Sequence, residues 1–510
     1  MPQYFLGYDI GTSFVKASLL DAETGITVAS ASAPDVEMSI SSPQKGWAEQ
    51  EPEMWWSATI EATKRLKHQF AFDPSEVLSI GISYQMHGLV VIDREGKPLR
   101  PSIIWCDSRA VETGEKAFGS LGTAFCLKRF MNSPANFTAS KLRWVQQNEP
   151  AVYEQIHHFM LPGDYIAFKM TGEVSTTVSG LSEGIFWDYQ NRFPAYALMD
   201  FWGISASLMP NIVPTFGEQG RLTEDIAGVL GLKAGTPLSY RAGDQPNNAF
   251  SLNVLNAGEA AATAGTSGVI YGVTERALND SQSRVNTFVH VNNDLHNDRP
   301  STHETERNGI LLCINGTGSL NAWLKRNLKR SYEEMNAMAS EVPIGAKGLN
   351  MLPFGNGAER VLGNKMLGAQ MLGLDFNTHD VRHIARAAQE GIVFALNYGF
   401  EVMKEIGLSL HTIRAGHANM FLSPMFRDAF VQTTGATLDL YHTDGAQGAA
   451  RGAGFGCGFY SSLEEAFVGL TALKHEEPEP MRQTLYQEAY QSWKQVLEKA
   501  MRDHDAKDQD

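Results

Sequence analysis

The chain has 510 residues, 43% hydrophobic and 19% charged, the composition of an ordinary soluble globular protein and too long for one core, so two or more domains are expected. Forty-two Lys and Arg against 57 Asp and Glu give a net charge of −15 with no basic run, which argues against nucleic acid or an anionic membrane as a general partner. Four cysteines (Cys106, Cys126, Cys313, Cys457) lie far apart with no CxxC pair, which argues against zinc or a disulfide framework and for a reducing compartment.

A strand is expected over 4–9, too close to the start for a signal peptide, and no apolar run has the length of a membrane span. The expected location is therefore cytoplasmic. Strands at 15–20 and 27–31 follow. The turn between the first two carries Asp9, Gly11, Thr12, Ser13 and, just beyond, Lys16. A plain hairpin needs only Asn-Gly or Asp-Gly. Glycine admits close approach to a ligand, consecutive amides and hydroxyls form an anion-binding concavity, and a carboxylate beside it can hold magnesium through water. A helix is expected from Pro52, a favourable first-turn position, with Trp55, Trp56, Ile60 and Leu66 on one packing face. Strands at 78–83 and 89–93 lead to "IIWCDSR", and a largely helical insertion spans roughly 110–235.

A second α/β unit starts near 236, with strands at 238–242, 259–263 and 268–272, a long helix over about 379–406, a strand at 411–415 and small-residue helices to about 460. An amphipathic helix occupies 476–510. The Gly-Thr-Ser turn at 265–267 repeats the one at 11–13, each between two strands. One such loop is weak evidence; one per half is what two domains closing on a polyphosphate require. Between the loops, "SYRAGDQPNNAF" places Asp244 at a strand exit, where it could take the proton from a hydroxyl attacking a γ-phosphoryl group; an N-cap or Asx-turn aspartate is the structural alternative. Three other features carry no chemistry on this reading. "GAGFGCG" (452–458) has the wrong glycine spacing for a dinucleotide fingerprint and reads as close helix packing; His157-His158 reads as a solvated helix end; Cys106 reads as a small buried residue.

Taken together and in order, these segments resemble the FGGY family of carbohydrate kinases, within the superfamily of actin, sugar kinases and 70-kDa heat-shock ATPases. "GYDIGTSFVKASLLD" resembles the family's first phosphate motif and "AGTSG" its second; "GWAEQEPEMWW" resembles its W-x-E-Q-x-P-x-x-W-W segment; "AGDQ" stands at its catalytic Gly-Asp-Asn or Gly-Asp-Gln. "LPFGNGAER", the helix from 379 and "GAQGAARGAGFG" complete the series, and "QMHG" with "WCDSR" is most similar to the xylulokinase branch. The resemblance implies two actin-like (ribonuclease-H-like) α/β domains, about 1–250 and 251–510, flanking a catalytic cleft. It implies an ATP- and magnesium-dependent kinase for the terminal hydroxyl of a ketopentose, D-xylulose first; a homodimer is compatible with it.

Residue by residue, it implies that Asp244 is the base and that Asp9 positions magnesium and the phosphates. Gly11 (through its amide), Thr12 and Ser13 would form one phosphate loop, and Gly265, Thr266 and Ser267 the other. Met86, His87, Trp105, Asp107 and Gln245 would lie at the sugar, and Gly318, Gly416 and Asn419 at the adenosine. The chain departs from the family at Ala415-Gly416-His417-Ala418, where Gly-Gly-Gly-Ala is usual and about three extra residues precede Ser423, and at Gln389, where an aliphatic residue is usual.

Overall fold

Strands β1 (Tyr4–Ile10), β2 (Val15–Asp21) and β3 (Thr27–Ala33) form an antiparallel meander. Strands β4 (Val77–Tyr84) and β5 (Leu238–Gly243) extend it in parallel from β1, giving the order β5-β4-β1-β2-β3. The computed structural model describes residues 2–293 and 306–507, and within them a second sheet repeats this plan. It comprises β6 (Glu259–Ala264), β7 (Gly268–Thr274), β8 (Asn286–Val289), β9 (Asn308–Ile314), β10 (Thr412–Gly416), β11 (Thr437–Tyr441) and β12 (Ala472–Glu476), in the order β8-β9-β7-β6-β10-β11-β12. Here β6, β7 and β9 form the antiparallel meander, and β10 and β11 run parallel to β6. The two Gly-Thr-Ser turns thus occupy the same place in both sheets, between the first and second strands of each meander.

Strand β1 is buried at every position but Asp9, as expected of a strand covered on both faces. On one side lies α1 (Pro52–Gln69), packed on β2 and β3 with Trp55, Trp56 and Leu66 inward. The 110–235 region is largely helical, as expected, and also contributes short paired strands at Ser175–Thr177 and Asn211–Val213. It includes the short helix α2 (Val178–Glu183), and β5 runs directly into α3 (Asp244–Ser251). In the second half, α4 (Thr317–Leu328) follows β9, and α5 (Val381–Glu405) is buried at every position from Ala385 to Asn397. Helices α6 (Pro424–Thr434), α7 (Gly445–Gly456) and α8 (Pro480–Lys507) complete the fold. Sequence periodicity missed β8, β9, β11 and β12; the last three lie next to helices whose small or amphipathic residues dominate the pattern.

The separation of the halves at residue 250 is less clean than the sequence suggests. Helix α7 belongs to the second half by sequence, yet it packs on β1, β4, β5 and β2 of the first sheet. The approach is backbone to backbone. A Cβ on Gly7 would lie 1.9 Å from the Ala446 carbonyl oxygen, and one on Gly81 2.0 Å from that of Ala449. The ring of Tyr240 fills the space over Gly452. The glycine- and alanine-rich run "GAQGAARGAGFG" is therefore a packing surface, which is the role read for "GAGFGCG" in the sequence. A second crossing runs through Phe288 and Val289 on β8, which join the core of the helical insertion with Met86, Phe137 and Leu181.

Gly7→Ala should therefore force α7 off the sheet and destabilise the protein by about 1–3 kcal/mol or more. Gly119→Ala is the control, since Gly119 lies in the helix Val111–Leu121 and its Cβ would meet nothing within 4 Å; it should be neutral or stabilising by about 0.5–1 kcal/mol. Urea unfolding of the two variants checks this, and equal stabilities would overturn the packing argument.

Candidate active site

Strands β1, β4 and β5 end side by side, and the residues at or just past their ends face α7. Asp9 lies opposite Lys16 across the β1–β2 ladder and beside Ser83 of β4. The Ser83 hydroxyl donates to Asp9 Oδ1 at 2.9 Å. Gly445, the first residue of α7, comes so close that a Cβ there would lie 2.5 Å from Asp9 Oδ2. Burial raises the Asp9 carboxyl above the usual carboxylate range; Lys16 opposes that shift, Asp444 adds to it, and Ser83 opposes it.

Asp244 opens α3 at the exit of β5, at the carboxyl end of a sheet strand, where ligands of open α/β sheets bind. Its pKa is pushed up to about 7, first by burial and then by Asp9, while hydrogen bonding from Gln245 favours the ionised form. Gln245 Oε1 is buried without a hydrogen-bond partner. Two residues on, Asn247 Nδ2 donates to the Gly445 carbonyl at 2.9 Å. Both aspartates are thus tied to the start of α7.

The two turns differ from expectation in detail. The Gly11 amide donates to the Phe14 carbonyl at 3.0 Å, so it closes the turn and is not open to a ligand. The Thr12 hydroxyl is also engaged, donating to Gln85 Oε1 at 3.2 Å and accepting from Trp105 Nε1 at 3.0 Å. What the first turn offers are the amides of Thr12 and Ser13, which make no hydrogen bond among the described residues. In the second turn the Thr266 carbonyl accepts from both the amide and hydroxyl of Ser319. Gly318 sits so close to Gly265 that a Cβ would lie 2.0 Å from its carbonyl oxygen. The amides of Gly265, Thr266 and Ser267 are left uncommitted by the turn. Asn419, at a left-handed φ of 53°, brings its side-chain amide toward Gly265, and the space beside Gly416 is open, with the Thr443 carbonyl oxygen nearest at 3.9 Å.

Just past the same end of β4, His87 holds a left-handed φ of 62°, which is costly for a residue with a Cβ. Its Nδ1 lies 2.9 Å from the Glu183 carbonyl oxygen, and its pKa falls to about 3 through burial and the charge of Lys141. The ring is therefore neutral, with Nδ1–H donating and Nε2 left as an acceptor. Phe137 and Phe288 flank it at 4.8 and 5.3 Å between ring centroids. Met86 is buried, with its side chain against Gly243. Lys141 Nζ holds the carbonyls of His87 and Ile104 at 2.8 and 2.9 Å. Neither Lys141 nor Glu183 nor Phe288 has a local sequence signal; each meets His87 only through the tertiary fold.

Trp105 is half exposed over Thr12. Asp107 is not available to a ligand: its two oxygens accept from Arg109 and from the Ala48 amide. Arg109 in turn pairs with Glu49 at 2.7 Å and stacks 3.8 Å from the Trp47 ring. Gln50 donates to the Thr12 carbonyl at 2.8 Å and accepts from Trp55 Nε1 at 3.0 Å. The "WAEQ" segment thus braces the first turn and the "WCDSR" loop together. Cys106 is exposed rather than buried, because the same loop turns it outward. His158 opens a short strand, His158–Met160, with His157 just before it, so the pair does not end a helix. Gln389, the departure within α5, donates to Asn336 Oδ1 at 3.0 Å and accepts from the Ser423 hydroxyl at 2.9 Å, so its amide ties α5 to the cap of α6.

Residues 4–251 match the N-terminal domain of the FGGY family of carbohydrate kinases. The chain is 30% identical to a xylulose kinase of Bacillus subtilis, over 91% of this chain and 90% of that protein. It is 28% identical to a xylulose kinase of Escherichia coli, over 98% and 99%. A crystal structure of xylulose kinase from Rhodospirillum rubrum superposes with a TM-score of 0.84 at 24% identity, covering 97% of this chain and 98% of that one, a likeness of fold.

The raised pKa of Asp244 has a stability consequence. The carboxyl ionises near 3.8 when unshifted but near 7 in the folded protein, so between those values the unfolded chain sheds a proton that the folded one keeps. Stability is lost as pH rises through that window, and the loss levels off above it. Asp244→Asn removes this penalty. It should raise the Tm most at pH 8 and progressively less toward pH 4, as read by calorimetry across that range; a pH-independent change in Tm would contradict it.

Proposed function

The chain belongs to the FGGY family of carbohydrate kinases, and from that premise we propose that it transfers the γ-phosphoryl group of ATP to the terminal hydroxyl of a ketopentose, D-xylulose, giving D-xylulose 5-phosphate. The observation that carries the mechanism is the Asp244 carboxyl, poised near neutrality at a strand exit beside Asp9. A base with a pKa near the working pH is the most effective kind. Asp244 takes the proton of the sugar hydroxyl as that oxygen attacks in line. The free amides of 12–13 and 265–267 receive the polyphosphate, one set from each half. In phosphoryl transfer such positioning and charge neutralisation supply most of the acceleration, with the base adding roughly 10²–10⁴.

Asp9 fits a magnesium site of the indirect kind. Its charged form is disfavoured by burial and by Asp444, and a cation would relieve both. No group of three or more His, Cys, Asp or Glu able to hold a metal occurs among the described residues. Asp9 would therefore hold the ion through water and the phosphates themselves, and the ion neutralises charge on the β- and γ-oxygens when bound. Gly318, Gly416 and Asn419 border the second turn and are assigned to the nucleoside.

The sugar assignment draws on the names of the relatives and on three groups at the site. Gln245 Oε1 is a buried acceptor without a partner among the described residues, His87 keeps Nε2 as an acceptor while Nδ1 is engaged, and the half-exposed Trp105 ring supplies an apolar face. A hydroxyl of the wrong configuration would leave one of these acceptors unpaired at a cost of about 1–3 kcal/mol. Among the described residues no helix is long and apolar enough to cross a membrane, and a cytoplasmic location accords with a phosphorylated product.

Two measurements test this reading. A coupled ADP-release screen over ketopentoses, ketohexoses, polyols and gluconate should give D-xylulose the highest kcat/KM; a tenfold preference for a polyol or for gluconate would overturn the pentulose assignment. Asp244→Asn should cut turnover by about 10²–10⁴ while ADP binding stays within a few-fold. In the wild type, kcat/KM should fall with an acid limb centred near pH 7, because only the ionised carboxylate accepts the proton. A limb near pH 4 would show that Asp244 keeps an ordinary carboxylate pKa.

A further inference from the structure

Glu359 has no place in the scheme above, yet its side chain is fully buried and spends both oxygens on one stretch of backbone. Oε1 and Oε2 each accept the Asn315 amide at 3.0 Å. Burial raises the carboxyl pKa to about 7, against the pull of the Asn315 and Gly316 amides. These two residues join β9 to α4. The segment before Glu359 grips the same junction again. Asn315 Nδ2 donates to the Ala358 carbonyl at 2.8 Å, and Asn356 Nδ2 donates to the Asn315 carbonyl at 3.2 Å. Gly316 lies so close to the Pro353 carbonyl that no side chain would fit there. Glu359 is itself held in a closed loop: its amide donates to the Lys365 carbonyl at 3.0 Å, and its carbonyl accepts from the Asn364 amide at 2.9 Å.

The junction matters because of what α4 does next. The sheet register brings Gly268, just past the second Gly-Thr-Ser turn, opposite Ile314, just before Asn315. The first residues of α4 then take hold of that turn. Ser319 donates to the Thr266 carbonyl through its amide at 3.1 Å and its hydroxyl at 3.2 Å, and Gly318 rests against the Gly265 carbonyl. A carboxylate at the start of a helix stabilises it through the dipole, and that alone would make Glu359 a cap with no bearing on a ligand. The Ser319 amide argues for more. It is one of the helix's orphan donors, and it is spent outside the helix on Thr266, so the start of α4 and the turn move as one. We propose that Glu359 is a positioning residue for the nucleotide: by fixing the start of α4 it holds the 265–267 amides in the arrangement that receives the polyphosphate, without touching the ligand itself. This rests on the kinase reading and adds to it a buried residue, remote in sequence from the turn, that governs affinity for the nucleotide and not for the sugar.

The test compares Glu359→Gln with wild type above neutral pH, where the carboxylate is ionised. Glutamine keeps the size of the side chain and one acceptor, and removes the charge and the second acceptor. Glu359→Gln should raise the KM for ATP and weaken ADP binding, read by calorimetry, by about 5–20-fold, while the KM for the sugar stays within about twofold. Glu390→Gln is the control for a merely structural loss. Glu390 is another buried carboxylate in the second half that accepts one amide with both oxygens, that of Gly345 at 3.1 and 3.2 Å, and it also accepts from Arg386 at 2.7 Å. Its variant should lower the Tm and leave both nucleotide readouts within about twofold of wild type. Ser319→Ala removes one contact further along the same route, so the loss of ADP affinity in the double variant Glu359→Gln/Ser319→Ala should fall short of the product of the two single losses. Unchanged nucleotide affinity in Glu359→Gln, an equal rise in the KM for the sugar, an equal loss of nucleotide in Glu390→Gln, or losses that multiply in the double variant would each overturn the proposal. ADP binding requires no sugar, so these outcomes stand whichever sugar the protein prefers. If wild type binds no ADP, the kinase reading fails and the proposal fails with it.

Discussion

Helix α7 lies on β1 and β4 with its backbone in direct contact with theirs, and the active-site geometry depends on that contact. Two side-chain-free positions, Gly7 and Gly81, form the floor on which the Ala446 and Ala449 carbonyls rest. A helix resting on ordinary side chains would stand farther from the sheet. At this depth its first residue reaches the Asp9 carboxylate, its Gly445 carbonyl takes the Asn247 amide, and its cap, Asp444, brings a third carboxylate near. The position of Gly445 and Asp444 relative to Asp9 is thus set by packing along the helix, at Gly7 and Gly81. This explains why a run rich in glycine and alanine, poor in conventional helix-packing bulk, stands at this point in the chain.

The same closeness gives the site its electrostatic character. Asp9 stands against both Asp244 and Asp444 in a partly buried place, and the chain offers Lys16, Ser83 and Gln245 as only partial compensation. Folding therefore retains an unfavourable term that a cation and a polyphosphate-binding turn would relieve. Stability withheld in this way is a common feature of sites built for chemistry. His87 carries a second such term in its left-handed backbone, held by Lys141 at its carbonyl and by Glu183 at its ring.

Much of this was legible in the sequence, for particular physical reasons. β1, β5 and the turns between β1 and β2 and between β6 and β7 could be read because a short apolar run ending in a polar, glycine-bearing turn has few other structural meanings. Helix α1 could be read from Pro52 and the spacing of its tryptophans. Hydrogen-bond commitments could not be read: which amide of the first turn is free, or that Asp107 spends both oxygens on Arg109 and Ala48, depends on partners dozens of residues away. Strand β12 was hidden because its residues hardly alternate, and β11, though it alternates, is short and lies between helices. The place of α7 on the first sheet was hidden for a different reason. Periodicity reports which face of a helix is buried, and says nothing of which sheet it meets.

The two crossings of the chain, α7 onto the first sheet and β8 into the helical insertion, make the cleft composite at both ends. At the end proposed for the phosphates the first half supplies Asp9 and Asp244, and the second half supplies Gly445 and Asp444. At the end proposed for the sugar the first half supplies His87 and Trp105, and the second half supplies Phe288. Neither half alone completes either subsite. Because backbones at van der Waals contact cannot slide past one another without separating, any closure of the halves must turn about the α7 contact while the β8 side moves. That arrangement keeps the aspartates fixed relative to each other through the motion and lets the sugar wall be the part that adjusts, which suits an enzyme that must hold its base and phosphate sites in register while excluding water from the reacting group.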